Sequence, residues 1–357
     1  MPFAQSQQSQ QSQQSQQSQQ SQQSQQSQQS QSVPSLNHAG GASSSHLSHA
    51  LNSVGQTLPV DGQAGATTQA KDPDKDSLRR LQPLHRHILL TAALSRGLGI
   101  DDARPAKDGV MVQEHGCDLG TDVLTRPSLV ATDLDAIISR RWLRAERISE
   151  IIEQQTDILS FLALAYPMTR DTHPFTMALL DAVLAAAGKV VVQAKYKLNV
   201  PRPADWSAGI SPVIRTPAHG ATPSGHATES WAMAFAMESM IFSCASQELR
   251  MIAARIEENR IVAGVHYEHD GHMGRLLATY LAKIFAARLG VSNPALDDTR
   301  VPVWSGAGQA GLLAQPAKQV GVAHAKPTEP VFTNPGGVLG AAMELSRAEL
   351  GFSIGQE

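Results

Sequence analysis

The chain has 357 residues, of which 29 are Lys or Arg and 32 are Asp or Glu, for a formal net charge of −3. That balance argues against nucleic-acid binding, which wants a basic surplus to displace phosphate counterions. Two cysteines, Cys117 and Cys244, are too few for a disulfide framework and lack metal-site spacing.

Residues 1–74 are rich in Ser, Gln and Gly, with Ser at every third position from Ser6 to Ser30 and no charged side chain before Asp61. Such a segment buries too little apolar surface to offset its ordering entropy, so a disordered Gln/Ser-rich arm is expected. Met1-Pro2-Phe3-Ala4 has neither a basic region nor an apolar core, so no signal peptide is expected. No uncharged apolar run reaches the roughly 18 residues of a membrane span. A soluble, cytoplasmic protein is the expectation.

Residues 75–290 form a body large enough for one core, and its periodicity is helical. Leu134–Leu164 carries Ile137, Ile138, Leu143, Ile148, Ile151, Ile152 and Ile158 at helical spacing. Further helical runs are expected over Phe175–Val192, Thr228–Phe242, Gln247–Ala263 and Met273–Leu289. Strand alternation is scarce, so the fold class is all-α, a helical bundle. Residues 291–357 read as a Pro/Gly-rich tail packed on or trailing the body, with a short helix returning over Val338–Leu350.

Three stretches break the helical background. In the first, Lys195 to Pro203, the prolines at 201 and 203 end a helix and force extended chain. Lys195 is left on the last helical turn and Arg202 in the extended segment, where both could simply favour the helix dipole and face water. In the second, Pro223-Ser224-Gly225-His226, a helix N-terminus offers free N–H groups and a hydroxyl to an anion, or Ser224 is an ordinary cap.

The third runs from Asn259 to Asp270. Arg260 shares a helical face with Leu249, Ile252, Ala253, Ile256 and Ala263, where a lone guanidinium is costly. It needs a carboxylate partner or a bound oxyanion. His266 precedes Asp270 by four residues, so one helical turn would let the carboxylate hold one imidazole nitrogen and aim the other.

The order is Lys, six residues, Arg-Pro; then Pro-Ser-Gly-His; then Arg, five residues, His, three residues, Asp. This resembles the signature of the superfamily joining type 2 phosphatidic acid phosphatases, bacterial acid phosphatases and vanadium-dependent haloperoxidases. The match covers Lys195 to Asp270, and the family fold is an all-α bundle. Asn259 departs from it, since the family usually has Ser before the Arg; that neighbour is expected to be peripheral to the anion.

The resemblance implies that Lys195, Arg202 and Arg260, with the Ser224 hydroxyl and the Gly225 N–H, hold the oxygens of phosphate or vanadate. His266 is then the nucleophile on phosphorus or the ligand to vanadium, Asp270 holds its tautomer, and His226 is the acid–base, titrating near neutrality. His219, seven residues before His226, looks like the extra histidine of the family's bromoperoxidases, or is a loop histidine facing solvent. The implied activity is a vanadate-dependent haloperoxidase acting on hydrogen peroxide and halide. The alternatives are a phosphatase that cleaves phosphate esters through a phosphohistidine, and a non-catalytic oxyanion-binding scaffold. Homo-oligomers are frequent in the family.

Overall fold

A proline at the first helical position and an Ala-, Leu- and Val-rich run explain the longest element of the molecule, the helix Pro174–Leu198. The computed structural model describes residues 73–101, 103, 109–118, 124–129, 132–292 and 329–352. The expectations for the N-terminal arm up to residue 72, and for the tail between 293 and 328, lie outside the described residues.

The described chain begins with α1 (Pro73–Arg80) and α2 (Pro83–Leu94). A small antiparallel sheet follows, β1 (Leu98–Ile100), β2 (Val112–Glu114) and β3 (Cys117–Asp118), in that spatial order. The expected long helical run then appears in pieces: α3 (Thr132–Ile138), a 3₁₀ turn (Arg141–Leu143), α4 (Arg144–Glu153) and α5 (Leu159–Leu162). The break before α5 has a local cause. The Asp157 carboxylate accepts from Ser160 N and Oγ, which competes with continued helix. Four large apolar residues of the run, Ile138, Trp142, Ile152 and Leu164, face solvent.

The bundle proper is α6 (Pro174–Leu198), the short α7 (Pro203–Trp206), α8 (Gly225–Met237), α9 (Gln247–Val262) and α10 (Glu268–Arg288). α8 is central and packs on α6, α9 and α10. Its Trp231 is fully buried and donates through Nε1 to Glu257 on α9 at 2.9 Å, and Glu257 in turn pairs with Arg275 on α10 at 3.1 Å. α8 ends in a π turn (Glu238–Phe242), where Glu238 takes a two-pronged ion pair from Arg250.

The returning helix is α11 (Gly337–Glu349), and it packs on α6, α1 and α2. Its Glu349 caps the start of α6, accepting from Phe175 N and Thr176 N at 2.8 and 2.9 Å. The end of the chain is thereby tied to the start of the bundle.

α6 also modifies the expectation about membrane spans. Among the described residues one helix is long and apolar enough to cross a membrane, the stretch Pro174–Trp206, with a mean hydropathy of 1.9 in its most apolar window. Asp181 and Lys189 interrupt the apolar run, so it is not uncharged. The body covers this helix along much of its length, burying Leu179, Val183, Ala186, Val190 and Leu198 as core.

Candidate active site

The helix α6 stops at Asn199, which takes a left-handed φ of 43°, and Arg202 is extended at φ −74°, ψ 156°. The prolines therefore act as expected. The side chains do not face water: Lys195 is 3% exposed and Arg202 2%. Lys195 Nζ donates to the carbonyls of Gly220 and Ala221 at 3.0 and 2.9 Å. Arg202 donates from Nη1 to Val265 O at 2.7 Å and to His266 Nε2 at 2.9 Å. Its Nε and Nη2 reach the carbonyl and Nδ1 of His219 at 3.1 and 3.0 Å. His219 is thus an exposed loop histidine and also a neighbour of the buried cation.

Ser224 caps α8, its Oγ accepting from Ala227 N at 3.4 Å, so the ordinary cap is realised and the hydroxyl proton is left to donate. Gly225 and His226 open the helix with N–H groups that no preceding turn can satisfy. Helix α10 comes in close below: a Cβ on Gly274 would lie 2.8 Å from Ala227 Cβ and 2.9 Å from Ser224 O. Ser224 N also donates to Asp270 O at 2.9 Å, which ties the two helix N-termini together.

Arg260 is 1% exposed and has no carboxylate within ion-pairing distance among the described residues. Its Nη2 donates to Gln154 Oε1 at 2.9 Å and to Ile151 O at 3.2 Å. Nε and Nη1 are buried with no hydrogen-bond partner among the described residues. Of the two partners that its helical position demanded, the protein supplies only neutral oxygens, and an anion fits the two vacant donors. Asn259, expected to be peripheral to the anion, supports Arg260 through Gln154. It is fully buried and donates to Gln154 Oε1 and Glu150 Oε2, both at 3.0 Å, so it fixes the amide that steers Arg260.

His266 lies before α10 rather than on a helical turn with Asp270. Asp270 is at the third position of the helix and reaches back, accepting from Tyr267 N and His266 Nδ1, both at 2.9 Å, while Thr222 Oγ1 donates to its other oxygen. The expected contact is present, made as a helix cap. Because the carboxylate accepts, Nδ1 carries the proton and Nε2 carries a lone pair, now occupied by Arg202.

Burial is the largest influence on these groups. It lowers Lys195 to about 7, aided by Arg202, and Arg202 and Arg260 to about 10 each. Burial also holds His266 well below its ordinary value, with Arg202 adding to the effect, so the imidazole is neutral. Burial would raise Asp270, but the bonds from His266 and Thr222 outweigh it and hold the carboxyl down. His226 does not titrate near neutrality as expected; burial, and next Arg260, bring it to about 3. Its Nε2 must donate to Gln154 O at 2.8 Å, which leaves Nδ1 as the acceptor.

A pH dependence follows. An anion held by Lys195 needs that side chain charged, and the charged form is lost as pH rises through about 7. Sulfate, whose own charge is constant, should bind up to about tenfold more weakly per pH unit above that point. Calorimetric titrations between roughly pH 6 and 9 check this, and a flat affinity would remove Lys195 from the anion.

Two contributors escaped sequence reading. Gln154, at the end of α4, joins Arg260, Asn259 and His226, and nothing in its own sequence context marks it. Glu229 sits one turn after His226 on the otherwise apolar α8, and burial raises its pKa to about 7. A charge on an apolar helical face marked Arg260, and Glu229, the one Asp, Glu, Lys or Arg of α8, carried a similar signal. Among the described residues no cluster of His, Cys, Asp or Glu is suited to a metal cation.

The family model described as PAP2 superfamily matches residues 176–292. A search of curated proteins finds no match. Among solved structures, the chain is similar to the first bacterial vanadium-dependent iodoperoxidase, with 15% identity and a TM-score of 0.36. That likeness covers 47% of this chain and 51% of the other, so the chain spans about half the length of the structure it matches. Lys195, Arg202, Arg260, His226, His266 and Asp270 all fall inside the matched stretch, whereas Gln154 lies outside it, and residues 176–292 of this chain are a PAP2 superfamily domain.

Proposed function

We propose that this chain is a haloperoxidase-like enzyme that holds vanadate at His266 and uses hydrogen peroxide to oxidise halide. The observation that carries an oxyanion reading is Arg260, fully buried with two unpartnered donors among the described residues. The contact of His219 with Arg202 favours the haloperoxidase form, since it sets an imidazole at the lip of the same cluster. Lys195, Arg202 and Arg260, with the Ser224 hydroxyl and the Gly225 N–H, would hold the oxygens of vanadate, and His266 Nε2 would hold its metal. When bound, vanadate supplies a Lewis-acidic centre that activates peroxide. Asp270 keeps the proton on His266 Nδ1, so that Nε2 presents a lone pair. Neutral His226 takes a proton through Nδ1.

A second reading is a phosphatase in which His266 Nε2 takes the phosphoryl group from an ester and water then releases it. A cavity of about 1030 Å³ beside His226 favours it, being roomy enough for an organic leaving group. Either chemistry requires Arg202 Nη1 to turn from His266 to the anion.

The deciding experiment assays vanadate-dialysed protein with peroxide and bromide or iodide, beside metal-free protein with aryl phosphates. Halogenation is the expected result. Ester turnover with no halogenation removes the first reading and leaves the second.

A further inference from the structure

The cavity beside His226 lies between α4, α5, the loop before α6 and the start of α8. Much of its wall is apolar, contributed by Ile158, Leu159, Met168, Met177 and Leu184. Three carboxylates also line it, and two of them are already engaged. Asp181 is ion-paired with Arg170, whose Nη2 lies 3.0 Å from its Oδ1, and Asp157 caps Ser160. The third, Glu229, makes no hydrogen bond or ion pair among the described residues. It lies over the small residues at the head of the site: its Oε1 would be 3.7 Å from a Cβ on Gly225 and 3.6 Å from one on Gly188.

We propose that this cavity receives the organic group carried by an oxyanion bound at Arg260 and Lys195, and that Glu229 restricts that group to uncharged or cationic ones. The proposal rests on the oxyanion reading above and concerns binding; it governs turnover where the bound oxyanion is an ester. The reasoning is electrostatic. The cations of the cluster attract any anion, so they cannot by themselves choose among anionic compounds. A half-buried carboxylate on the apolar wall one helical turn from His226, unpartnered among the described residues, repels a second negative charge on the ligand more strongly than it would in bulk water. An uncharged ring loses nothing to Glu229 and gains from the apolar wall. Glu229 also feels Lys195, so the carboxylate and the cluster lie in one field.

The test is calorimetric, on the full chain above neutral pH, with three probes: inorganic phosphate, phenylphosphonate and para-carboxyphenylphosphonate. Affinity ratios at one pH cancel the titration of Lys195. Phenylphosphonate should bind about tenfold more tightly than phosphate, from burial of the ring. The carboxylated analogue should bind about tenfold more weakly than phenylphosphonate, and Glu229→Gln should shrink that gap to about twofold or less. Equal affinity of the two aryl compounds, or a gap unchanged in Glu229→Gln, overturns the assignment while phosphate binding keeps the oxyanion reading intact. Failure of phosphate itself to bind overturns the oxyanion reading, and the assignment with it.

Discussion

His266→Ala should reduce turnover by at least about a thousandfold in either proposed chemistry, because it removes the nitrogen on which both depend. The expectation comes from a specific arrangement. His266 is 4% exposed, its Nδ1 proton is held by Asp270, and burial with Arg202 beside it keeps the ring neutral. The lone pair of Nε2 therefore needs no deprotonation at neutral pH, only release from Arg202 Nη1. The substitution removes one of the acceptors of Arg202, but Val265 O and the carbonyl of His219 remain, so the guanidinium should stay in place. Sulfate affinity measured alongside activity separates the two roles. Lost turnover with retained anion binding fits the proposal, whereas turnover within tenfold of the unmodified protein contradicts it.

What the sequence made legible follows from how local each signal is. The end of α6 is written in Pro201 and Pro203, and the start of α8 in Ser224, since backbone chemistry at those positions allows little else. Arg260 was legible because a charge on an apolar helical face demands a partner wherever the helix packs. The identity of that partner was not, because Gln154 is more than a hundred residues away in the chain and only packing of α4 on α9 brings it near. The link of Asn259 to that glutamine was hidden for the same reason. The acid–base behaviour of His226 was hidden too, since an ordinary histidine value says nothing of burial or of a guanidinium arriving from another helix. The sheet near residue 100 was missed because its strands are two or three residues long, too short for an alternation to register.

Arg260→Met should make the protein more stable and a worse anion binder at once. Met has a comparable stem and no charge, so it removes a buried guanidinium that forms no ion pair among the described residues and feels Glu150 only at a distance. Its loss should leave few stranded acceptors: Gln154 Oε1 keeps its bond from Asn259. Replacement of a buried, poorly compensated charge by an apolar side chain typically stabilises by about 1–4 kcal/mol, and urea denaturation in anion-free buffer should find a change of that sign. Sulfate or phosphate affinity should fall by about 2–3 kcal/mol, the worth of charge-assisted hydrogen bonds from Nε and Nη1, which is roughly 30- to 150-fold. A structural arginine would do the opposite, losing stability with no change in anion affinity. Opposite signs in the two measurements are what a residue kept for binding predicts, since a charge retained against its folding cost must interact with something the folded chain alone does not provide.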